Sequence, residues 1–152
     1  MTFSHDGLRD SLTHLAAPPY FYENLRRELA TAERNKSRLT LIKFILVQTP
    51  TPTSTLTLSE SHYESAILSF AELLKASIRA EDLCARLGRI EFTLILKSSV
   101  EVGISLASRV LGSWEAKDFS PLYSTLGVRT NESPLEILNR LDTQELHSIT
   151  SR

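Results

Sequence analysis

Arg79-Ala-Glu-Asp82 sets a guanidinium and a carboxylate three positions apart, and Arg109 supplies a further cation later in the chain. Arginine presents a planar fork of N–H donors and a carboxylate only accepts, so the two types together can read a flat polar ligand. The same residues also have a plain structural reading. An arginine near a helix C-terminus is favoured by the helix dipole, and Asp82 can cap the turn into the next strand or pair with Arg79 at the surface. Residues alone leave both readings open. The next carboxylate of interest is Glu91, in the tight turn Gly88-Arg89-Ile90-Glu91-Phe92, with Phe92 read as core. His5, His14, His62 and His147 lack metal-ligand spacing, and Cys84 has no local partner for a zinc site or a nucleophile arrangement. Trp114 reads as helix-end packing, and Tyr20, Tyr63 and Phe70 read as core.

Composition narrows the classes of function. A chain of 152 residues is long enough for one core-bearing domain, and residues 1–152 are read as a single one. With 17 basic and 18 acidic side chains the formal net charge is -1, so no overall polycation exists to bind a nucleic acid polymer through its phosphates. Any anionic ligand must be held by a local cluster. Cys84 cannot form an internal disulfide, and neither a signal peptide nor an apolar run of about 20 residues is visible, so a cytoplasmic domain without membrane insertion is expected.

The elements that must position these groups follow from periodicity. Phe21, Leu25, Leu29 and Ala32 recur at helical spacing and predict an amphipathic helix from about Tyr20 to Asn35. Leu39 to Val47 is a nearly continuous apolar run that suits a buried central strand. Residues 48–58, rich in threonine and proline, read as an exposed loop. Ser61-x-x-Glu64 suggests a capping box for a helix whose inner face is Tyr63, Ala66, Ile67, Phe70, Leu73, Leu74 and Ile78. Leu83–Leu87 and Phe92–Leu96 read as a hairpin around Gly88. A helix over Val100–Trp114 is expected to bury Val102, Leu106, Val110 and Leu111. A strand near Leu122–Val128 follows, and Ser133-Pro134-Leu135-Glu136 starts a last helix with an N-cap, a proline and a capping glutamate. The expected class is α/β (α+β): a central, mostly antiparallel sheet of about five strands flanked by helices.

From Asp10 to about Leu146 the order, lengths and several strings resemble the GGDEF family of diguanylate cyclases. Asp10-Ser-Leu12-Thr13-His-Leu15 keeps the frame of the family's opening D-x-L-T-x-L pattern, while its following Asn and Arg become Ala17 and Pro18. Ala71 to Arg86 is similar to the helix and strand before the signature turn, and Ser124-Thr125-Leu126-Gly127-Val128 to the later strand that usually reads S-x-G-V. Gly88-Arg89-Ile90-Glu91-Phe92 stands in the place of the signature itself.

The resemblance implies a nucleotidyl-cyclase-like fold and a reaction joining two GTP molecules into cyclic di-GMP with divalent metal held by carboxylates. It also implies that this chain lacks that reaction. Magnesium takes hard oxygen ligands, which aliphatic side chains cannot supply. Ile90 stands where the family has an acidic third signature residue, and Ile45 or Val47 stands at the other metal-binding Asp. Arg89 replaces the second glycine, where the family lets backbone approach the nucleotide. The segment that would carry the guanine-binding Asn has become the Thr/Pro loop. Glu64 aligns with a base-contacting Asp but is read as a capping residue, and Glu91, without metal ligands beside it, as a turn or surface carboxylate. The expectation is a non-enzyme with no metal or other cofactor.

What the resemblance leaves is the family's inhibitory product site, an Arg-x-x-Asp five residues before the signature. Arg79 and Asp82 stand at that spacing from Gly88, and Arg109 matches a further family arginine if one loop is a residue shorter. Arginine fits guanine O6 and N7 and stacks on bases, and a carboxylate accepts from guanine N1 and N2. The chain is therefore expected to be a receptor for cyclic di-GMP at Arg79, Asp82 and Arg109, acting on a protein partner or a homodimer. The alternative is a nucleotide-independent pseudoenzyme that serves as a protein-interaction scaffold.

Overall fold

Among the described residues, four strands and four helices follow one another in an order that the apolar periodicity anticipates. The computed structural model describes residues 3–49 and 58–148. Helix α1 spans Pro18–Asn35, strand β1 Thr40–Gln48, helix α2 Glu60–Ser77, strand β2 Leu83–Arg86 and strand β3 Glu91–Leu96. Helix α3 covers Val100–Ser113, strand β4 Phe119–Gly127 and helix α4 Pro134–Thr143. The sheet runs β2-β3-β1-β4, and every neighbouring pair is antiparallel.

Because side chains alternate across a strand, β1 sends its residues to two separate cores. Ile42, Phe44 and Leu46 face α2 and α3, in a cluster with Phe70, Leu74, Phe92 and Leu106. Leu41 faces the other way, with Phe21 and Leu25 of α1 and Ile137 and Leu141 of α4. Helices thus cover both faces, and the continuous apolar run of β1 is the signature of a strand buried on both sides. Phe70 is the aromatic hub of the first core, with ring centroids 5.4 Å from Phe44, 5.2 Å from Phe92 and 5.4 Å from Trp114.

Several boundaries differ from expectation for local reasons. Among the described residues the sheet has four strands rather than about five; on its outer edge the segment before α1 contributes only a parallel bridge, Ala16 to Ala85. Helix α1 begins at Pro18, because prolines at the first two positions have no amide hydrogen that the first turn needs. The capping box of α2 is formed by Ser59 and His62, not by Ser61 and Glu64. Ser59 has the extended backbone of an N-cap, and the His62 ring accepts its N–H as a glutamate ordinarily does. Strand β4 starts at Phe119 and runs through Pro121, which the sheet tolerates because β4 is an edge strand. Of the expected 48–58 loop, Gln48 ends β1, Thr49 donates to the Asp118 carbonyl and Leu58 packs on the first core; residues 50–57 lie outside the described residues. Val102 is 45% exposed rather than buried.

Candidate functional site

Arg79 and Asp82 lie in the short turn between α2 and β2. Helix α2 stops because Ile78 takes an extended conformation, and the Asp82 amide then donates to the Arg79 carbonyl at 3.1 Å. The Asp82 carboxylate fixes this turn twice. Its Oδ2 accepts from the Arg79 backbone N–H at 3.1 Å, and its Oδ1 from the Lys97 backbone N–H at 3.2 Å, which ties the turn to the end of β3. Asp82 is thus a turn cap, and it makes no side-chain ion pair with Arg79. Among the described residues the Arg79 guanidinium has no hydrogen-bond partner. Arg109, in the last turns of α3, makes one long bond of 3.5 Å to the Ser77 carbonyl.

These groups share one cleft. A cavity of about 280 Å³ lies between the end of α2 and the exposed side of α3, and its lining includes Arg79, Asp82 and Arg109. Leu96 and Leu106 form part of its floor, and the exposed Val102 and Glu101 stand along its α3 wall. Glu101, Ser105 and Arg109 recur at i, i+4 and i+8, the spacing that aligns side chains along one face of a helix. That stripe was available in the sequence, where the apolar period of α3 masked it.

The Gly88–Phe92 hairpin is built differently, with its charged groups tied into internal contacts. Arg86, at its base, is completely buried and its Nη1 donates to both oxygens of the equally buried Asp10, at 3.0 and 3.1 Å. Thr13 donates its amide and its hydroxyl to the same Asp10 carboxylate, and the rest of the Arg86 guanidinium donates to the Arg89 carbonyl. Every charge in the cluster is thus hydrogen-bonded, the condition under which a buried ion pair is tolerated. Arg89 reaches the first turn of α2, with its guanidinium carbon 4.3 Å from the Tyr63 ring centroid and a 2.8 Å ion pair to Glu60. No local sequence signal announces either pairing, since the partners lie far apart along the chain.

Glu91 sits beside Ile45 in the β1–β3 register, with Ile90 next to it. Burial pushes the Glu91 carboxyl above the ordinary carboxylate range; Lys43 opposes this and Asp142 reinforces it. Lys43 is itself engaged by Asp142 at 3.1 Å. Glu64 is partly exposed in the second turn of α2, outside the capping box. Burial raises the Cys84 thiol to about 12, which leaves it unreactive as a nucleophile near neutral pH.

No protein-family model matches the sequence, and comparison with curated proteins finds no match. Solved structures give a different result. The coiled coil and GGDEF domain of DgcB from Caulobacter crescentus, in complex with c-di-GMP, aligns over 90% of this chain and 78% of its own, with a TM-score of 0.77 and 18% identity. The GGDEF domain of YfiN (TpbB) from Pseudomonas aeruginosa aligns over 88% and 84%, with a TM-score of 0.76 and 21% identity. Diguanylate cyclase SiaD from the same organism, in complex with its activator SiaC, aligns over 88% of this chain and 55% of its own, with a TM-score of 0.76 and 22% identity. The fold is that of a GGDEF domain.

GGDEF cyclases work with divalent metal, so the donor set around the hairpin can be tested against one. Ile45 or Val47, with Ile90 and Glu91, offer a single carboxylate, its ionisation opposed by burial, with the Lys43 ammonium close enough to act on it. That set does not fit a hard divalent cation, which takes several oxygen ligands. Among the described residues no group of three or more His, Cys, Asp or Glu side chains converges elsewhere, and no helix is long and apolar enough to cross a membrane.

Proposed function

We propose that this domain is a noncatalytic receptor for cyclic di-GMP, which it takes up at Arg79, Asp82 and Arg109. The observation that carries the reading is the cleft between α2 and α3, where two guanidinium groups flank an apolar floor and one of them has no hydrogen-bond partner among the described residues. A guanine offers O6 and N7 to an arginine fork and a flat face to an apolar or guanidinium surface. Roughly 1 to 3 kcal/mol for a good bidentate base contact makes two such arginines sufficient for useful affinity on a preformed surface. The likeness to GGDEF domains solved with c-di-GMP supports the choice of ligand.

The inactive status rests on residue chemistry. With Ile90, and Ile45 or Val47, in place of metal-binding carboxylates, the metal that would neutralise the triphosphate charge of GTP lacks its ligands. Incubation with GTP and magnesium or manganese is expected to give no cyclic di-GMP; product formation by the isolated domain would show that another metal site exists. Ligand uptake then acts through assembly, on a second copy or on a protein partner; SiaD, solved with its activator SiaC, is a structural neighbour that takes a protein partner.

One observation favours the nucleotide-independent scaffold: Asp82 already has both oxygens engaged by backbone amides, as a purely structural residue would. Calorimetric titration with cyclic di-GMP separates the two readings. Heat from the wild type that Arg79→Ala removes supports the receptor, whereas no heat from folded wild type leaves the scaffold.

A further inference from the structure

We infer that Glu101, on the α3 wall of the cleft, is the carboxylate that reads the guanine base, and that Val102 supplies the apolar contact to its face. This inference rests on the receptor reading above. Each Asp82 carboxylate oxygen already accepts one backbone N–H, and these two bonds hold the carboxylate across the turn toward Arg79 and the end of β3. Geometry of that kind fixes a loop. Each oxygen keeps a lone pair, but both are held within the turn, so a base lying along the α3 wall needs a second carboxylate for its N1–H and N2–H donors.

Glu101 meets that need. It lines the same cavity as Arg79 and Arg109, its side chain is exposed, and it makes no hydrogen bond or ion pair among the described residues. A carboxylate has two acceptor oxygens in one plane, the arrangement that two adjacent N–H groups of one base require. Along α3 the positions 101 and 109 are about 12 Å apart, so the two side chains approach the cleft from its two ends. One base between them has its O6/N7 edge toward the arginines and its N1/N2 edge toward Glu101. Val102 is 45% exposed and lines the cleft, whereas the similarly exposed Ile104 does not, so Val102 fits this geometry as a contact for the flat face of the base.

The class of ligand is thereby narrowed. Adenine carries an acceptor at N1 and nothing at C2, so Glu101 would meet a lone pair rather than two donors. Hypoxanthine keeps N1–H and loses the 2-amino group. The pocket is therefore one for a 2-amino-6-oxopurine, in a cyclic dinucleotide.

Calorimetry with three ligands tests it. Wild type is expected to bind cyclic di-GMP at least about tenfold more tightly than the inosine analogue, and to give no heat with cyclic di-AMP. In Glu101→Gln the amide NH2 faces the guanine donors, so the preference for cyclic di-GMP over the inosine analogue should fall to about twofold or less. Glu101→Ala should behave alike. Both variants should keep the wild-type unfolding midpoint to within a few degrees, because the side chain is exposed and unpaired. An unchanged preference in both folded variants would overturn the role of Glu101 while leaving the receptor reading intact. Absence of heat from wild type with every ligand would overturn the receptor reading, and this inference with it.

Discussion

The signature hairpin and the α2–α3 cleft lie close together in sequence, yet their charged residues are used in opposite ways. At the hairpin Arg86 is buried against Asp10, and Arg89 is stacked on Tyr63 and paired with Glu60. At the cleft, among the described residues, Arg79 and Glu101 have no side-chain partner and Arg109 has a single long one. Charge that a protein satisfies internally supports the fold; charge left open at a concave apolar surface is available to a ligand. The contrast is the reason the proposed ligand site is placed in the cleft, although the hairpin stands where the family carries its signature.

The largest expected effect lies on the hairpin side. Arg86→Ala strands the buried Asp10 carboxylate with only the Thr13 donors, and should lower stability by about 3 to 5 kcal/mol in urea unfolding. Replacing both partners sharpens the test. Asp10→Leu with Arg86→Met leaves no buried charge, and should recover at least half of the loss. If the single and double variants are equally unstable, the cluster supports the fold through shape rather than through charge satisfaction.

Next in size is the cleft. Arg79→Ala should weaken cyclic di-GMP binding by about 1 to 3 kcal/mol, measured by calorimetry, with no loss of stability beyond a few tenths. Asp82→Ala should unfold more easily as well, because two backbone amides lose their acceptor, and its binding should fall with the turn that presents Arg79. A binding defect in Arg79→Ala that comes with equal destabilisation would erase the distinction between the two regions.

Sequence reading succeeded where a rule is local. Ser133, Pro134 and Glu136 start α4 as an N-cap, a first-position proline and a capping-box glutamate, all within one turn. At α2 the rule is the same but the residue unusual: His62 does what a glutamate ordinarily does, so Ser61 and Glu64 attracted the assignment. Val102 shows a different limit. Its spacing suits the buried stripe of α3, yet the cleft opens beside it, and helical periodicity alone does not say where a neighbouring element stops. For the site, the short Arg79–Asp82 spacing was legible, whereas the engagement of Asp82 by the distant Lys97 amide was not. The Asp10–Arg86 pair spans 76 positions, and nothing in a single sequence links two such residues.

Arg89 offers a smaller test of the same contrast. Loss of its stacking contact in Arg89→Ala should cost about 0.5 to 1 kcal/mol, visible in denaturant unfolding, and cyclic di-GMP heat should stay unchanged. A binding defect in this variant would join the hairpin to the cleft functionally. Arg89→Gly additionally restores the residue that the family carries, but with Ile90 and Ile45 still in place it should generate no cyclase activity.

The smallest effect is expected at Glu91, and its sign follows from proton linkage. Because the folded-state carboxyl titrates above its ordinary value, the folded chain binds more protons than the unfolded one between the ordinary carboxylate range and the raised value. Stability due to this group is therefore fully present below that window and declines as pH rises through it. Glu91→Gln removes the decline. The variant should be slightly more stable than wild type at neutral pH, and the difference should shrink on acidification, as thermal unfolding at several pH values can show. A Glu91→Gln variant less stable than wild type at neutral pH would mean that Lys43 outweighs burial, and that the hairpin holds a carboxylate in its charged form as a catalytic or metal site requires.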